Sequence, residues 1–314
     1  MAGKLVISFD CEGKWGIADR GNERHKKITS LALYDAYKSI LEVLEKHNAK
    51  ATFAFVAALC LPADELRKVV SNLLDIVIYK NGRWLEPAEN ALRRGDNEGW
   101  SEPGLIDLVR AQASHHLCSH GGFHVPYDED AVALEAIIAD IQVIRSVDKI
   151  ARVKQDLIVF PRNQVGFNRV LADAGFLAYR PMDLQERRQG PSAKAIRVVC
   201  EFIALDRSDL LKQKSNEIGG LVALSAGKFL NARIGIRNIV PTRMTKLRID
   251  SLLNYAVDTD STLHFYSHPH NFIDDADMVK KLDYLLERAA WHRTRGCLDI
   301  LTMKDELDAK ATVQ

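Results

Sequence analysis

The chain is poor in the features that would place it quickly. Five cysteines, Cys11, Cys60, Cys118, Cys200 and Cys297, are scattered over 314 residues and odd in number. No two form a C-x-x-C, which argues against a disulfide framework and against a cysteine-based zinc site. Charge of one sign is also missing. The 43 basic and 42 acidic residues leave a net charge of +1, so nothing points to nucleic acid or to a strongly acidic partner. The densest basic run, RHKK at 24–27, reads as a solvated loop. No apolar run near MAGKLVISFD reaches signal-peptide length, and no later stretch is long enough to span a membrane. These absences predict a soluble, cytoplasmic chain. Internal repeats and low-complexity segments are lacking too.

What is present is alternation. Hydrophobic residues make up 47% of the chain, enough for a large core, and short apolar runs alternate with longer amphipathic ones. LVISF (5–9), ATFAFV (51–56), HHLCS (115–119), DLIVF (156–160), STLHFYS (261–267) and CLDIL (297–301) read as strands. Helical spacing of apolar residues covers 28–48, 62–77, 102–113, 128–150, 166–174, 244–257 and 273–290. GFLAYR follows at 175–180. Residues 80–103 read as an excursion, and 182–245 are the least legible. Strands alternating with helices imply a parallel sheet. About seven such units over residues 1–314 predict one α/β domain, a distorted β/α barrel rather than an open sheet.

Polar residues gather after the strands. Asp10 and Glu12 follow the first. His120 and His124 follow HHLCS. Arg162, Asn163 and Gln164 follow DLIVF. His268, His270 and Asn271 follow STLHFYS. In parallel α/β folds the carboxyl ends of strands share one face, where active sites lie, so these residues predict one site. Two carboxylates two positions apart face the same way in extended chain, and such a pair calls for a compensating cation. Glu12, His120 and His124 form a set that suits zinc with an open coordination position, leaving Asp10 as a base. The bland alternative has Asp10 and Glu12 capping a turn. His120 and His124 have helical spacing, but Gly121 and Gly122 between them argue for a loop that bends sharply. His25, His47, His115, His116, His264 and His292 read as structural. Trp15, Trp84 and Trp100 read as packing residues before they read as a sugar platform.

Together these stretches resemble the polysaccharide deacetylase family, chitooligosaccharide deacetylases included. SFDCE is similar to the opening T-F-D-D or D-x-D motif, SHGGFH to H-(S/T)-x-x-H, PRNQVG to R-P-P-Y-G, SHPHN to the late histidine motif, and LDILTMKDE to the last strand and helix. The resemblance implies Asp10 as catalytic base, Arg162 as the arginine that orients it, and the Val165 N–H as oxyanion donor. It implies His268 as general acid, with Glu12, His120 and His124 on the metal. His270, Asn271, Asn163 and Gln164 are then expected as substrate contacts, His270 and Asn271 also as partners that set the His268 tautomer. The implied reaction is metal-dependent removal of an acetyl or formyl group from an N-acylated sugar or glycan precursor. Zinc is expected first, with cobalt, manganese or nickel as alternatives. A cytoplasmic address favours precursors of surface polysaccharide or lipopolysaccharide. Departures are Cys11, where many members carry Asp, and Val165, which lacks the usual ring. The family's aspartate–tryptophan segment is not found between 181 and 245. Three rival readings stand: an amidohydrolase of a small non-sugar C–N bond, a non-haem iron oxygenase, and a silent carbohydrate-binding relative.

Overall fold

The computed structural model describes residues 2–20, 23–183, 199 and 217–312. Twelve strands are described: β1 Gly3–Cys11, β2 Thr52–Phe55, β3 Ile78–Tyr79, β4 Gly82–Arg83, β5 His116–Ser119, β6 Leu157–Val159, β7 Ala178–Arg180, β8 Glu217–Ile218, β9 Leu221–Ala223, β10 Gly227–Phe229, β11 Thr262–Ser267 and β12 Leu298–Leu301. Ten of them form one sheet in the order β10-β11-β1-β2-β5-β6-β7-β9-β8, with β12 added against β1. Every pairing in it is parallel except β8 with β9. The parallel α/β architecture is therefore the one the sequence predicts, with more strands than the seven expected. No ladder joins β10 to β8 among the described residues.

β1 is the axis of the sheet. It pairs with β11 along Lys4–Phe9, while its other edge is shared between β12 at Gly3–Val6 and β2 at Ser8–Cys11. Helices cover the sheet, so β1 is buried on both faces from Leu5 to Cys11, which is why it reads as a continuous apolar run rather than an alternating one. The helix Ser30–Lys46 shows how the covering layer docks. Leu33, Ala36, Tyr37, Ile40, Leu41 and Leu44 recur at helical spacing and are buried. The Thr29 hydroxyl caps it by accepting the Ala32 N–H.

Several boundaries differ from the sequence reading for local reasons. RHKK lies in a short exposed helix, Glu23–Lys27, and not in a loop. The helix expected from residue 128 begins at Leu134, because the Asp128 carboxylate accepts the Asp130 N–H and holds a turn instead. The 80–103 excursion contains a hairpin, β3–β4, turned by Lys80 and Asn81 in left-handed conformation, then the helix Glu86–Arg93. The helix expected over 273–290 is two, Asn271–Asp274 and Met278–Arg293. Asp275 breaks it, since its carboxylate accepts from the Lys281 ammonium and the Arg233 N–H. Of the illegible 182–245, residues 217–245 carry β8 to β10 and the start of the helix Thr242–Asp258. The missing aspartate–tryptophan segment falls partly outside the described residues. Cys11, Cys60, Cys118 and Cys297 are free, and no helix of the described residues is long and apolar enough to cross a membrane.

Candidate metal and hydrolytic site

The carboxyl ends of β1, β5, β6, β10 and β11 open onto one cavity of about 450 Å³. Asp10, Glu12, His120, His124, Arg162, Asn163, His268, His270 and Asn271 all line it, so residues far apart in sequence meet as expected. Asp10 still belongs to β1, and Glu12 stands just beyond its end.

The loop between the two histidines is shaped from beneath. Asp140, buried on the helix Leu134–Ala151, accepts the N–H groups of Gly122 at 2.6 Å and Phe123 at 2.7 Å, and the Tyr127 hydroxyl at 2.8 Å. A β-carbon on Gly122 would lie 2.5 Å from the Asp140 carbonyl oxygen, and Gly121 sits at φ +81°. Glycine is therefore needed at both positions, one for close approach and one for its backbone angle. The loop then delivers His124 at φ 57°, a strained angle for a side chain of this size. This answers the conflict between helical spacing and glycine content: the pair is held by a braced loop. Glu12 is confined in turn by Gly16, where a β-carbon would come within 1.8 Å of Glu12 Oε2.

Glu12 Oε1 is 3.0 Å from His120 Nε2 and 3.1 Å from His124 Nε2. The three donor atoms lie within 4.8 Å of one another. His120 Nδ1 lies 2.7 Å from the Val159 carbonyl oxygen and its Nε2 is within hydrogen-bond distance of Glu12. Among the described residues, neither nitrogen of buried His124 has a hydrogen-bond partner of good geometry. Burial outweighs the pull of Glu12 and lowers the pKa of His124, keeping it neutral. Burial works to raise Glu12, but His268, His124 and His120 hold it well below the usual carboxylate range. Two imidazoles and an ionised carboxylate aimed at one point are the donor set of a divalent cation. Thus the residues fit the metal that the sequence reading expects.

Asp10 is held by a different arginine from the one expected. Arg180, at the end of β7, donates to Oδ1 at 2.8 Å and to Oδ2 at 2.7 Å, and both partners are buried. Burial would raise Asp10, yet Arg180 outweighs it and holds the pKa below its ordinary value. Arg162 pairs with Asp19 at 2.5 Å and lies 5.0 Å over the Trp84 ring. The assignment of Arg162 as orienting arginine is thus corrected. Arg162 and Asn163 both adopt left-handed angles, φ 55° each, and this turn carries the guanidinium away from Asp10. It also takes Gln164 and Val165 out of the cavity wall, and Val165 is 39% exposed. Neither lines the cavity. The signal for Arg180 was there: an arginine closes the run AYR just before Pro181.

Behind Arg180 runs a directional chain. Arg180 donates to Ser8 Oγ at 3.0 Å, and the Ser8 hydroxyl lies 2.8 Å from His264 Nε2. His264 Nδ1–H donates to the Ser225 carbonyl, so Nε2 accepts from Ser8. A proton on Nε2 would oppose that bond, and burial pushes His264 down to about 3.

His268 Nε2 is 3.4 Å from Glu12 and 3.9 Å from Asp10. The Asn271 amide donates to His268 Nδ1 at 3.3 Å, which leaves the proton on Nε2, facing the carboxylates. Burial opposes charge on His268, but Glu12 and Asp10 prevail and raise its pKa. His270 stacks on it with ring centres 5.0 Å apart, and burial drives His270 down to about 3. Trp15, Trp84 and Trp100 are buried, and none lines the cavity; Trp15 packs edge-on to Trp100.

No protein-family model matches the sequence, and no curated protein does. Solved structures do. A Mycobacterium smegmatis protein assigned as a polysaccharide deacetylase has 13% identity and a TM-score of 0.55, over 96% of this chain and 87% of that one. A counterpart assigned in Pseudomonas aeruginosa PAO1 has the same identity and score, over 96% and 88%. The Puue allantoinase has them too, again over 96% and 88%. Likeness at this identity speaks for architecture: the fold of this chain is the polysaccharide deacetylase fold, shared with an allantoinase.

Proposed function

We propose that the protein is a metal-dependent hydrolase that removes an acetyl or formyl group from the nitrogen of a sugar. The observation that carries this is the convergence of Glu12, His120 and His124 beside a separate carboxylate, Asp10, that Arg180 keeps ionised. Glu12, His120 and His124 would hold the cation, zinc before cobalt, manganese or nickel. Bound there, it would supply an acidified water and polarise the acyl carbonyl. Asp10 takes the proton of the attacking water. His268 gives its Nε2 proton to the departing amine, with Asn271 holding the tautomer. The context we favour is the making of surface polysaccharide or lipopolysaccharide.

The test is Asp10→Asn. It should retain one equivalent of zinc by elemental analysis and lose amine release from N-acylated sugars by at least a thousandfold. A variant that still turns over removes Asp10 from the base role. The second reading, hydrolysis of a small non-sugar C–N bond, draws support from the likeness to an allantoinase; activity on allantoin with none on acylated sugars would favour it.

A further inference from the structure

Ser8 and Asp10 stand two apart on β1, so their side chains share one face of the strand, and both are buried. Arg180 reaches them from β7. Its guanidinium carbon lies 4.1 Å from the centre of the Tyr266 ring. Gly227 leaves room for its stem, since a β-carbon there would come 3.0 Å from Arg180 Cδ. One nitrogen, Nη1, serves two acceptors, Asp10 Oδ1 at 2.8 Å and Ser8 Oγ at 3.0 Å. The aim of the guanidinium therefore depends on Ser8 presenting a lone pair to it and not its own proton.

His264 settles which it presents. A carbonyl oxygen only accepts, so the 3.0 Å contact of His264 Nδ1 with the Ser225 carbonyl puts the ring proton on Nδ1. Burial keeps the ring uncharged, and Nε2 takes the Ser8 proton at 2.8 Å. Ser225 is fixed in turn by Glu306 on the helix Met303–Ala311, whose Oε1 accepts the Ser225 N–H at 2.9 Å and its hydroxyl at 2.7 Å. The register partner of His264 on β1 is Val6, so packing here would be met by an apolar side chain. The imidazole is needed for its two nitrogens. Neither Ser8 nor His264 lines the cavity. We infer that Ser8 and His264 are positioning residues, which hold the Arg180 guanidinium where it meets both oxygens of Asp10. Their effect on turnover rests on the deacylation reading above; their effect on the Arg180–Asp10 contact does not.

The zinc-loaded wild type, Ser8→Ala, His264→Leu, His264→Gln and the Ser8→Ala/His264→Leu double variant should be assayed for amine release from N-acetylglucosamine and UDP-N-acetylglucosamine. Misplacing a reacting group by about 1 Å costs about a hundredfold. Ser8→Ala and His264→Leu should therefore lose about 10- to 100-fold in kcat, with KM and zinc Kd within about threefold of wild type. The double variant should be no slower than the worse single one, because both break one chain. His264→Gln offers an amide oxygen to the Ser8 proton and should recover most of the His264→Leu loss. Unchanged kcat in both single variants overturns the inference, as do losses that multiply in the double variant. Crystal structures of metal-free Ser8→Ala and His264→Gln give a readout free of turnover. In Ser8→Ala at least one Arg180–Asp10 contact should open beyond about 3.5 Å, while His264→Gln should keep both. Both contacts intact in Ser8→Ala overturn the inference whatever the kinetics. Ser8→Ala removes a single oxygen atom and carries the test if His264→Leu does not fold. If the wild type releases amine from neither probe, the deacylation reading fails by itself, and the two crystal structures decide the positioning.

Discussion

Arg180 and Arg162 differ in what they hold, and the difference can be measured. Arg180 is 1% exposed and its partner Asp10 3%. Replacing Arg180 by Met keeps the apolar stem and leaves a buried carboxylate without its two donors. Breaking one side of a buried pair costs about 3–5 kcal/mol. For a chain of this size that is a fall in Tm of roughly 6–10 °C, at about 2 °C per kcal/mol. Arg162 and Asp19 are 26% and 39% exposed. Arg162→Met should lose no more than about 1 kcal/mol from the ion pair, with up to about 1 more from the contact with Trp84. Urea unfolding of the metal-free proteins at pH 7.5 compares the two. The decisive control is Asp10→Asn in the Arg180→Met background, which removes the stranded charge and should recover part of the loss. Arg162→Met unfolding as readily as Arg180→Met would refute the reasoning, as would a double variant less stable than Arg180→Met alone.

Gly122→Ala should strain the brace between Asp140 and the histidine loop by about 1–3 kcal/mol and weaken zinc binding 10- to 100-fold, read by chelator competition; unchanged affinity would show the loop to be dispensable. Asp140 tests the sign of a buried acid. Burial pushes its pKa up to about 6 despite three donors, above the ordinary value near 3.8, so its contribution is present below pH 4 and lost as pH rises through 6. The stability advantage of wild type over Asp140→Asn, both metal-free, should shrink by about 2 kcal/mol between pH 4.5 and 7.5; an advantage that grows over that interval contradicts the assignment. Zinc at a hundred times its Kd should stabilise the wild type by about 2.7 kcal/mol in thermal unfolding. His124→Ala should lose most of that gain, and a full gain there would take His124 out of the ligand set.

Much of this molecule could be read before any coordinates. Strand and helix alternation is a local property of apolar spacing, so β1, β2, β5, β6, β11 and β12 were visible as runs. A parallel sheet then obliges their carboxyl ends to share a face, which is why Asp10, Glu12, His120, His124 and His268 could be gathered from three distant stretches. Errors lie where a side chain's direction depends on packing. PRNQVG and AYRP each offer an arginine after a strand, and nothing local says which one reaches Asp10. Two left-handed residues after β6 turn Arg162 toward Asp19 and carry Val165 to the surface. Arg180 points inward because β7 lies two strands from β5, across the curve of the sheet from β1.

The order of chemical groups along the chain determined which residues could share a site, since each donor needed only its place after an apolar strand. Tertiary structure alone decided which arginine keeps Asp10 ionised, why glycines separate the imidazoles, and that arginines line the cavity. Those are matters of approach over a few ångströms between segments distant in sequence, and residue spacing carries no record of such distances.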